Sequence, residues 1–323
     1  MVRSKWRMVR SKWRMVGSRL RPYDGAMPHR ALLGRPALLL GASLICLASV
    51  ACAPTDKNTG GSGDTTSPTA SDVDACANPH TVKPGVLTIA TDNPAYDPWF
   101  SNDDPTNGKG FESAVAYAVA KGMGFARGDV TWTKVPFNSS YQPGQKDFDF
   151  DINQISINAR RAQAVTFSDG YYSAAQAIIT LKDSSYADAT SFADFAHATL
   201  GAQVGTTSLD AITDTIRTSA QPQVFDDTNI AKNALLNGQV DGIVVDLPTA
   251  FYITAVEIPK STIVGQFQPE TGQKQQFGLL FEKGNPLVAC ANQALTTLKA
   301  DGTLASIEKQ WLSQVVDIPQ LDS

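Results

Sequence analysis

From Val86 onward the chain keeps switching between two hydrophobic periods, and that switching confines it to an α/β fold. Val86–Thr91 is an apolar run of strand length, after which Phe111, Ala114, Val115, Ala118 and Val119 recur at the spacing of one helix face. Val130–Val135, Phe148–Ile152 and Ala174–Leu181 read as further strands. A second series follows, with a strand at Thr199–Val204, helices at Leu209–Arg217 and Ile230–Leu236, and a buried strand at Gly242–Val245. After a strand at Phe277–Phe281 the chain ends in two helices. Leu287, Cys290, Ala291, Ala294, Leu295 and Leu298 share a face of the first, and the second spans Leu304–Leu312. Strand–helix alternation of this kind predicts parallel sheets covered by helices.

The N-terminal part obeys other rules. MVRSKWR at 1–7 repeats at 8–14 and begins again, decayed, at Met15, a unit far too short for a solenoid. It reads as an extension of the start site, with Met27 the alternative beginning to Met1. Ala37–Ala51 is an uncharged apolar run behind His29, Arg30 and Arg35. It is shorter than the roughly 20 apolar residues of a membrane span and suits a signal h-region. It closes in Ala48-Ser49-Val50-Ala51-Cys52, which resembles the lipobox of bacterial lipoproteins with Ser49 where Leu is usual. Cys52 is therefore the expected lipidation site and a lipid anchor the expected membrane contact. Ala53–Ala75, rich in Thr, Ser, Gly and Asp, buries too little apolar surface to offset chain entropy and reads as a tether.

Charge and cysteine use exclude several functions. Residues 1–36 hold ten Lys/Arg against Asp24 alone, so the net charge of −4 conceals −13 on residues 37–323. A body so acidic would repel nucleic acid. Cys46 lies in the h-region and Cys52 at the cleavage site, leaving Cys76 and Cys290 as an even pair for a disulfide in an oxidising compartment. There is no CxxC, and His29, His80 and His197 are scattered, so no metal site is expected and no cofactor is called for.

Three stretches carry chemistry. Ala90-Thr91-Asp92, with Tyr96, Pro98, Trp99 and Phe100 behind it, puts an acid at the carboxyl end of a strand, where open α/β sheets bind ligands. Asp in that position is equally often a turn residue. FDFDINQISINARRAQAVTFSDGYY, Phe148–Tyr172, carries Arg160-Arg161 behind a strand and a turn; an arginine there grips a carboxylate through its rigid fork, or is simply solvated, the reading that suits Arg160. Val204-Gly205-Thr206-Thr207-Ser208 precedes a helical spacing, so Gly allows close approach and the hydroxyls cap an anion-friendly N-terminus. Each stretch alone is common.

Together and in this order they resemble family 3 extracellular solute-binding proteins, the amino-acid receptors of ABC importers. The resemblance covers about residues 84–313, through GVLTIATDNPAYDPWF, GKGFESAVAYAVA, DFDINQISINARRAQAVTFSDGYY, GAQVGTTS, GQVDGIVVDLP, FGLLFEKGNPL and LKADGTLASIEKQWL. It implies a two-lobed periplasmic-binding-protein-like (type II) fold with two crossing hinge strands, at about 174–182 and 274–281. The implied organisation is a signal and extension at 1–51, a lipidated Cys and flexible linker at 52–79, first-lobe segments at 80–174 and 282–323, and a second lobe at 183–273. The Cys76–Cys290 bond would then stitch within one lobe and leave the hinge free.

The resemblance also implies residue roles. Arg161 matches the arginine on the ligand's α-carboxylate, Ser156 a hydroxyl and backbone position beside it, and Thr206 and Thr207 the opposite lobe's donors. Asp246 matches the carboxylate for the α-ammonium, Tyr96 and Phe137 the bracketing aromatics, and Asp92 a group reaching the ligand's side chain. Asn158 stands for the usual Thr, Gln154 lies near the pocket where a small residue is common, and one extra residue separates Asp92 from Trp99. The expected function is a monomeric lipoprotein outside the cytoplasmic membrane that passes a polar neutral or cationic amino acid, glutamine first, to an ABC permease. A dehydratase on the same scaffold and a receptor reporting to a membrane sensor are the alternatives; no GxSxG or Cys/His pair supports the enzyme.

Overall fold

The computed structural model describes residues 76–269, 274–312 and 318–321. The h-region and Cys52 lie outside the described residues. In chain order, β1 (Leu87–Thr91) leads to α1 (Phe111–Gly122), then β2 (Val130–Lys134), β3 (Phe150–Asp151) and β4 (Val165–Phe167). After the short β5 (Tyr172–Ser173) come β6 (Gln176–Leu181), β7 (Leu200–Gln203), α2 (Thr207–Ala211), β8 (Gln223–Phe225) and α3 (Thr228–Leu236). Then follow β9 (Gly242–Asp246), α4 (Leu247–Tyr252), β10 (Ser261–Phe267), β11 (Gln276–Phe277), β12 (Leu280–Glu282), α5 (Leu287–Ala300) and α6 (Thr303–Leu312).

These strands form two five-stranded sheets, ordered β2-β1-β3-β12-β4 and β10-β6-β9-β7-β8, with β5 and β11 paired antiparallel between them. Each sheet is the centre of one lobe. The parallel pairing expected from the strand–helix alternation holds for β1 with β2 and β3, and for β7 with β8 and β9. It fails for β12 and β6, which run antiparallel to their neighbours. Both follow the crossing segments, which deliver the chain into each sheet from the hinge side.

That geometry also moves the hinge. The crossing pair is Tyr172–Ser173 against Gln276–Phe277, whereas the long run Gln176–Leu181 is a strand of the second sheet. Its alternation accounts for this: Ile178 packs on one side of that sheet, Ala177 and Ile179 on the other, so both faces are buried. A strand covered on both faces by its own lobe's core moves with that lobe.

In the first lobe, α1 and α5 press Phe111, Val115, Val119, Leu287, Ala291 and Leu295 onto one face of the sheet. Trp99, fully buried, stands edge-on to Phe111, Tyr172 and Phe277, with ring centroids 5.9, 5.7 and 5.7 Å away. Each buried large apolar side chain stabilises the lobe by about 1.5–3 kcal/mol. Cys76 and Cys290 are joined by a disulfide, their Cα atoms 5.4 Å apart, which ties residue 76 to α5. Cys76 therefore belongs to the folded body, although it lies inside the segment 52–79 expected to be linker.

A second departure is at the other end. Of the segment 282–323 expected in the first lobe, α5 and α6 pack into that lobe's core, whereas 318–321 lies on the second. The Gln266 amide donates to the Pro319 carbonyl at 2.8 Å, and the Leu321 amide donates to the Gln266 carbonyl at 2.9 Å. Leu321 is buried in the second lobe's core beside Phe267 and Val264. The edge of β10 is thereby paired, satisfying backbone groups that an open edge would present to water.

Replacing Cys290 by Ser should lower stability against urea by about 2–5 kcal/mol, because the bond joins two points of one lobe and closes a very long loop. The measurement is the unfolding midpoint of the oxidised protein and the variant; equal midpoints would contradict it.

Candidate functional site

The carboxyl ends of β1 and β9 face each other across a cavity between the lobes. Its first-lobe wall is made by Asp92, Tyr96, Phe137, Asn153, Gln154 and Ser156. Opposite stand Gln203, Thr206, Thr207, Ser208, Thr228, Asp246 and Thr249 of the second lobe. Eight of the nine side chains expected to meet a ligand line this one space. The ninth, Arg161, lies directly behind Ser156.

Arg161 is reached through local chain geometry. Asn158 caps the single helical turn Ala159–Ala162, its Oδ1 accepting from the Arg161 amide at 2.8 Å. The guanidinium is driven inward and is 3% exposed. Nη1 donates to the Ser156 carbonyl and Nη2 to the Gly205 carbonyl, each at 2.8 Å, while Nε has no partner. The rings of Phe137 and Tyr141 lie 5.4 and 4.8 Å from the guanidinium carbon, within cation–π reach. Burial lowers its pKa to about 10. The carbonyls and rings are polar partners without charge, so the cation has no carboxylate in salt-bridge range among the described residues.

Asp246 ends β9 at the opposite side. Burial pushes its carboxyl up to about 7, against the pull of the Gln176 amide, which donates to Oδ1 at 2.6 Å, and of the Arg161 charge. Asp92 is also raised by burial, opposed by hydrogen bonds from the Asn93 and Phe137 backbone and the Gln203 side chain. Tyr96 titrates above its usual value, through burial and the nearby Asp227, and its hydroxyl has no hydrogen-bond partner.

Thr206 and Thr207 hold different posts. Thr206 caps α2, its Oγ1 accepting from the Leu209 amide at 3.1 Å while donating to the Gln203 carbonyl at 2.8 Å. Thr207 Oγ1 lies 3.2 Å from Ser156 Oγ, across the lobe boundary. Gln154 has φ 47°, the left-handed region rarely used by side-chain-bearing residues. Glu112, fully buried at the start of α1, holds it there by accepting from its backbone amide at 2.7 Å and from its side-chain amide. Tyr171 also donates to Glu112, whose carboxyl burial raises to about 7.

The lobes meet closely around this space. Trp99 Nε1 donates to Thr249 Oγ1 at 2.8 Å, and exposed Arg160 pairs with Asp210 at 3.0 Å. An exposed pair of this kind contributes little. Gly205 has φ 72°, and a Cβ there would stand 2.2 Å from the Tyr141 hydroxyl of the other lobe. Its glycine is thus demanded twice, by backbone conformation and by close approach.

Sequence reasoning missed Asn153, Gln176, Ser208, Gln275 and Glu112. The Asn153 Nδ2 is buried without a partner in the cavity wall. Gln176, fully buried, heads the mostly apolar strand QAIITL, and a polar residue at the start of such a run was the available signal.

Residues 87–314 match the family model of bacterial extracellular solute-binding proteins, family 3. The chain is 28% identical over 242 residues to the L-cystine-binding protein TcyA of Bacillus subtilis (strain 168), covering 72% of this chain and 84% of that protein. It is 28% identical over 219 residues to the ABC transporter arginine-binding protein 1 of Escherichia coli (strain K12), covering 64% and 82% respectively. Among solved structures, an ancestral arginine-binding protein bound to glutamine aligns with TM-score 0.60 and 28% identity, over 72% of this chain and 100% of that one. The family pattern runs through both lobes, the crossing segments and the cavity between them, and the chain belongs to the bacterial extracellular solute-binding proteins, family 3.

Proposed function

We propose that this protein binds an amino acid between its lobes and delivers it to an ABC importer, held outside the cytoplasmic membrane by a lipid at Cys52. The observation that carries the reading is the opposition of two oppositely charged groups at one cavity: among the described residues, buried Arg161 has no anion in salt-bridge range and half-buried Asp246 has no cation bonded to it. A free amino acid is a zwitterion that loses water at both ends when buried. Its carboxylate answers the guanidinium and its ammonium answers Asp246, which limits the desolvation cost. Charge-assisted bonds contribute roughly 1.5–3 kcal/mol each, enough in sum for micromolar affinity after ordering costs.

The rest of the wall favours a polar neutral or cationic side chain. Asp92 offers an acceptor, and Gln154, its amide nitrogen taken by Glu112, is left its amide oxygen for the cavity. Asn153 Nδ2 and the Tyr96 hydroxyl are buried donors without partners. A carboxamide supplies both a donor and an acceptor, which makes glutamine the first candidate. The named relatives bind cystine and arginine, and the aligned ancestral protein holds glutamine, all amino acids with polar or extended side chains. The lipid anchor rests on the h-region and small residues before Cys52. Among the described residues no helix is long and apolar enough to cross a membrane.

A thermal-shift screen of the twenty amino acids should show stabilisation by polar neutral or cationic ligands, glutamine among them; stabilisation by none would refute the function. Arg161→Ala should weaken binding of every responding ligand by more than about a hundredfold, the loss of roughly two charge-assisted bonds. An affinity within twofold of the parent would remove Arg161 from the site.

Acidity provides a separate check. With a carboxyl at about 7 in the ligand-free cleft, Asp246 is charged above that pH and neutral below it. Affinity should be flat at higher pH and fall by up to about tenfold per unit below 7, as a proton must leave before the ammonium binds. Calorimetry in buffers of different ionisation enthalpy would reveal that proton release. Gly205→Ala should hold the lobes apart and cost about five- to a hundredfold in affinity, since overpacking strains a tight contact by about 1–3 kcal/mol. Adding Tyr141→Phe, which removes the clashing oxygen, should recover part of it.

A further inference from the structure

Two glutamines, Gln176 at the start of β6 and Gln275 just before β11, form a chain of amides between the opposite ends of the cavity. Gln176 Nε2 donates both to Asp246 Oδ1 at 2.6 Å and to Gln275 Oε1 at 2.9 Å. Ser208 Oγ donates to Gln176 Oε1 at 2.6 Å. Gln275 Nε2 in turn donates to Ser156 Oγ at 2.6 Å and to Thr207 Oγ1. Every polar atom of the two amides is therefore engaged, and the chain ends at the two hydroxyls expected beside the ligand's carboxylate.

We infer that Gln176 and Gln275 are positioning residues that set the hydrogen-bond polarity of the cleft, so that hydroxyl protons face one end of the ligand and a carboxylate oxygen the other. The inference rests on the reading of the cavity as an amino-acid site. The orientation of each amide follows from the next. Ionised Asp246 only accepts, so Gln176 must turn its nitrogen toward it and its oxygen toward Ser208. The remaining N–H of Gln176 then requires an oxygen from Gln275, which leaves the Gln275 nitrogen for Ser156 and Thr207. A hydroxyl that accepts from an amide keeps its own proton to give. Even if one of these two hydroxyls donates to the other across their 3.2 Å separation, a proton remains for the ligand carboxylate.

The chain also joins three parts of the molecule. Ser156 belongs to the first lobe and Thr207 to the second, while Gln275 immediately precedes β11 of the crossing pair. Ser156 and Thr207 line both the cavity and an outer groove walled by Asn158, Asp210, Lys274 and Gln275, and so separate the two. The two hydrogen bonds from Gln275, one to each lobe, require the lobes to be closed, so closure and correct polarity arrive together. Burial strengthens such networks and makes each broken member costly.

The test uses the whole protein and calorimetric titration from pH 6 to 9, with whichever of the twenty amino acids the parent binds best. Gln275→Glu keeps the side chain's shape but replaces the donor by an acceptor, drawing both hydroxyl protons away from the ligand. It should lose at least about tenfold in affinity, and more than Gln275→Met, which only deletes the bonds. Gln176→Leu should move the acid-side midpoint of binding upward by about half a unit or more, because Asp246 loses an N–H that favours its charge. A merely structural role would change the melting temperature without that order of affinities or that shift in pH profile. A parent that binds while Gln275→Glu stays within twofold of it overturns the inference and leaves the amino-acid reading intact. A parent that binds none of the twenty overturns both. Should Gln176→Leu fail to fold, the half-buried Gln275 decides the matter through its two variants.

Discussion

A guanidinium held in a dry interlobe position without a carboxylate beside it is the condition on which the rest of this cleft depends. Arg161 is partly compensated by the carbonyls of Ser156 and Gly205 and by two aromatic faces. Dipoles of that kind soften the burial of charge but do not cancel it. The consequence is a site that attracts an anion strongly and that is costly to close when empty. Because Ser156 and Gly205 come from different lobes, the cation that calls for the ligand also helps draw the lobes together. On the proposed function, binding and closure would be one event energetically, a shift of population toward the closed form.

The opposite end of the cavity has the mirrored problem. Burial lowers the Arg161 pKa to about 10 and raises that of Asp246 to about 7, each toward its uncharged form. A zwitterion between them reverses both tendencies. Asp92 and Glu112, raised by the same cause, show that the first lobe's contribution is an accumulation of acids held by amides rather than by bases. Glu112 spends its carboxylate on Gln154 and Tyr171, converting a buried charge into a rigid support for a residue with left-handed backbone. The shape of the ligand's side-chain space is set as much by this support as by the side chains that face it.

A molecule that closes must keep its lobes stiff while its connections bend. Aromatic packing around Trp99 and the Cys76–Cys290 bond stiffen the first lobe. The second is stiffened by a sheet with both faces covered. Among the described residues the two short paired strands β5 and β11 run between them, and the segment 318–321 lies on β10. The disulfide stays within one lobe, so covalent stabilisation does not oppose the hinge.

Much of this was legible without coordinates. The periods of Phe111–Val119 and Leu287–Leu298 marked the helices of the first lobe. The order of the motifs around Asp92, Arg161, Thr207 and Asp246 marked the facing groups, and the two remaining cysteines marked the disulfide. Local period, local capping and residue chemistry are properties of the chain itself, so the sequence determined them. Only the tertiary structure decided the antiparallel entry of β6 and β12, the transfer of Leu321 to the second lobe, and the placing of Arg161 behind Ser156. It also brought together Gln176 and Gln275, 99 residues apart, across a crossing that no local pattern records. Amides join such a chain only where two distant backbones happen to meet, and the packing of whole sheets sets that meeting.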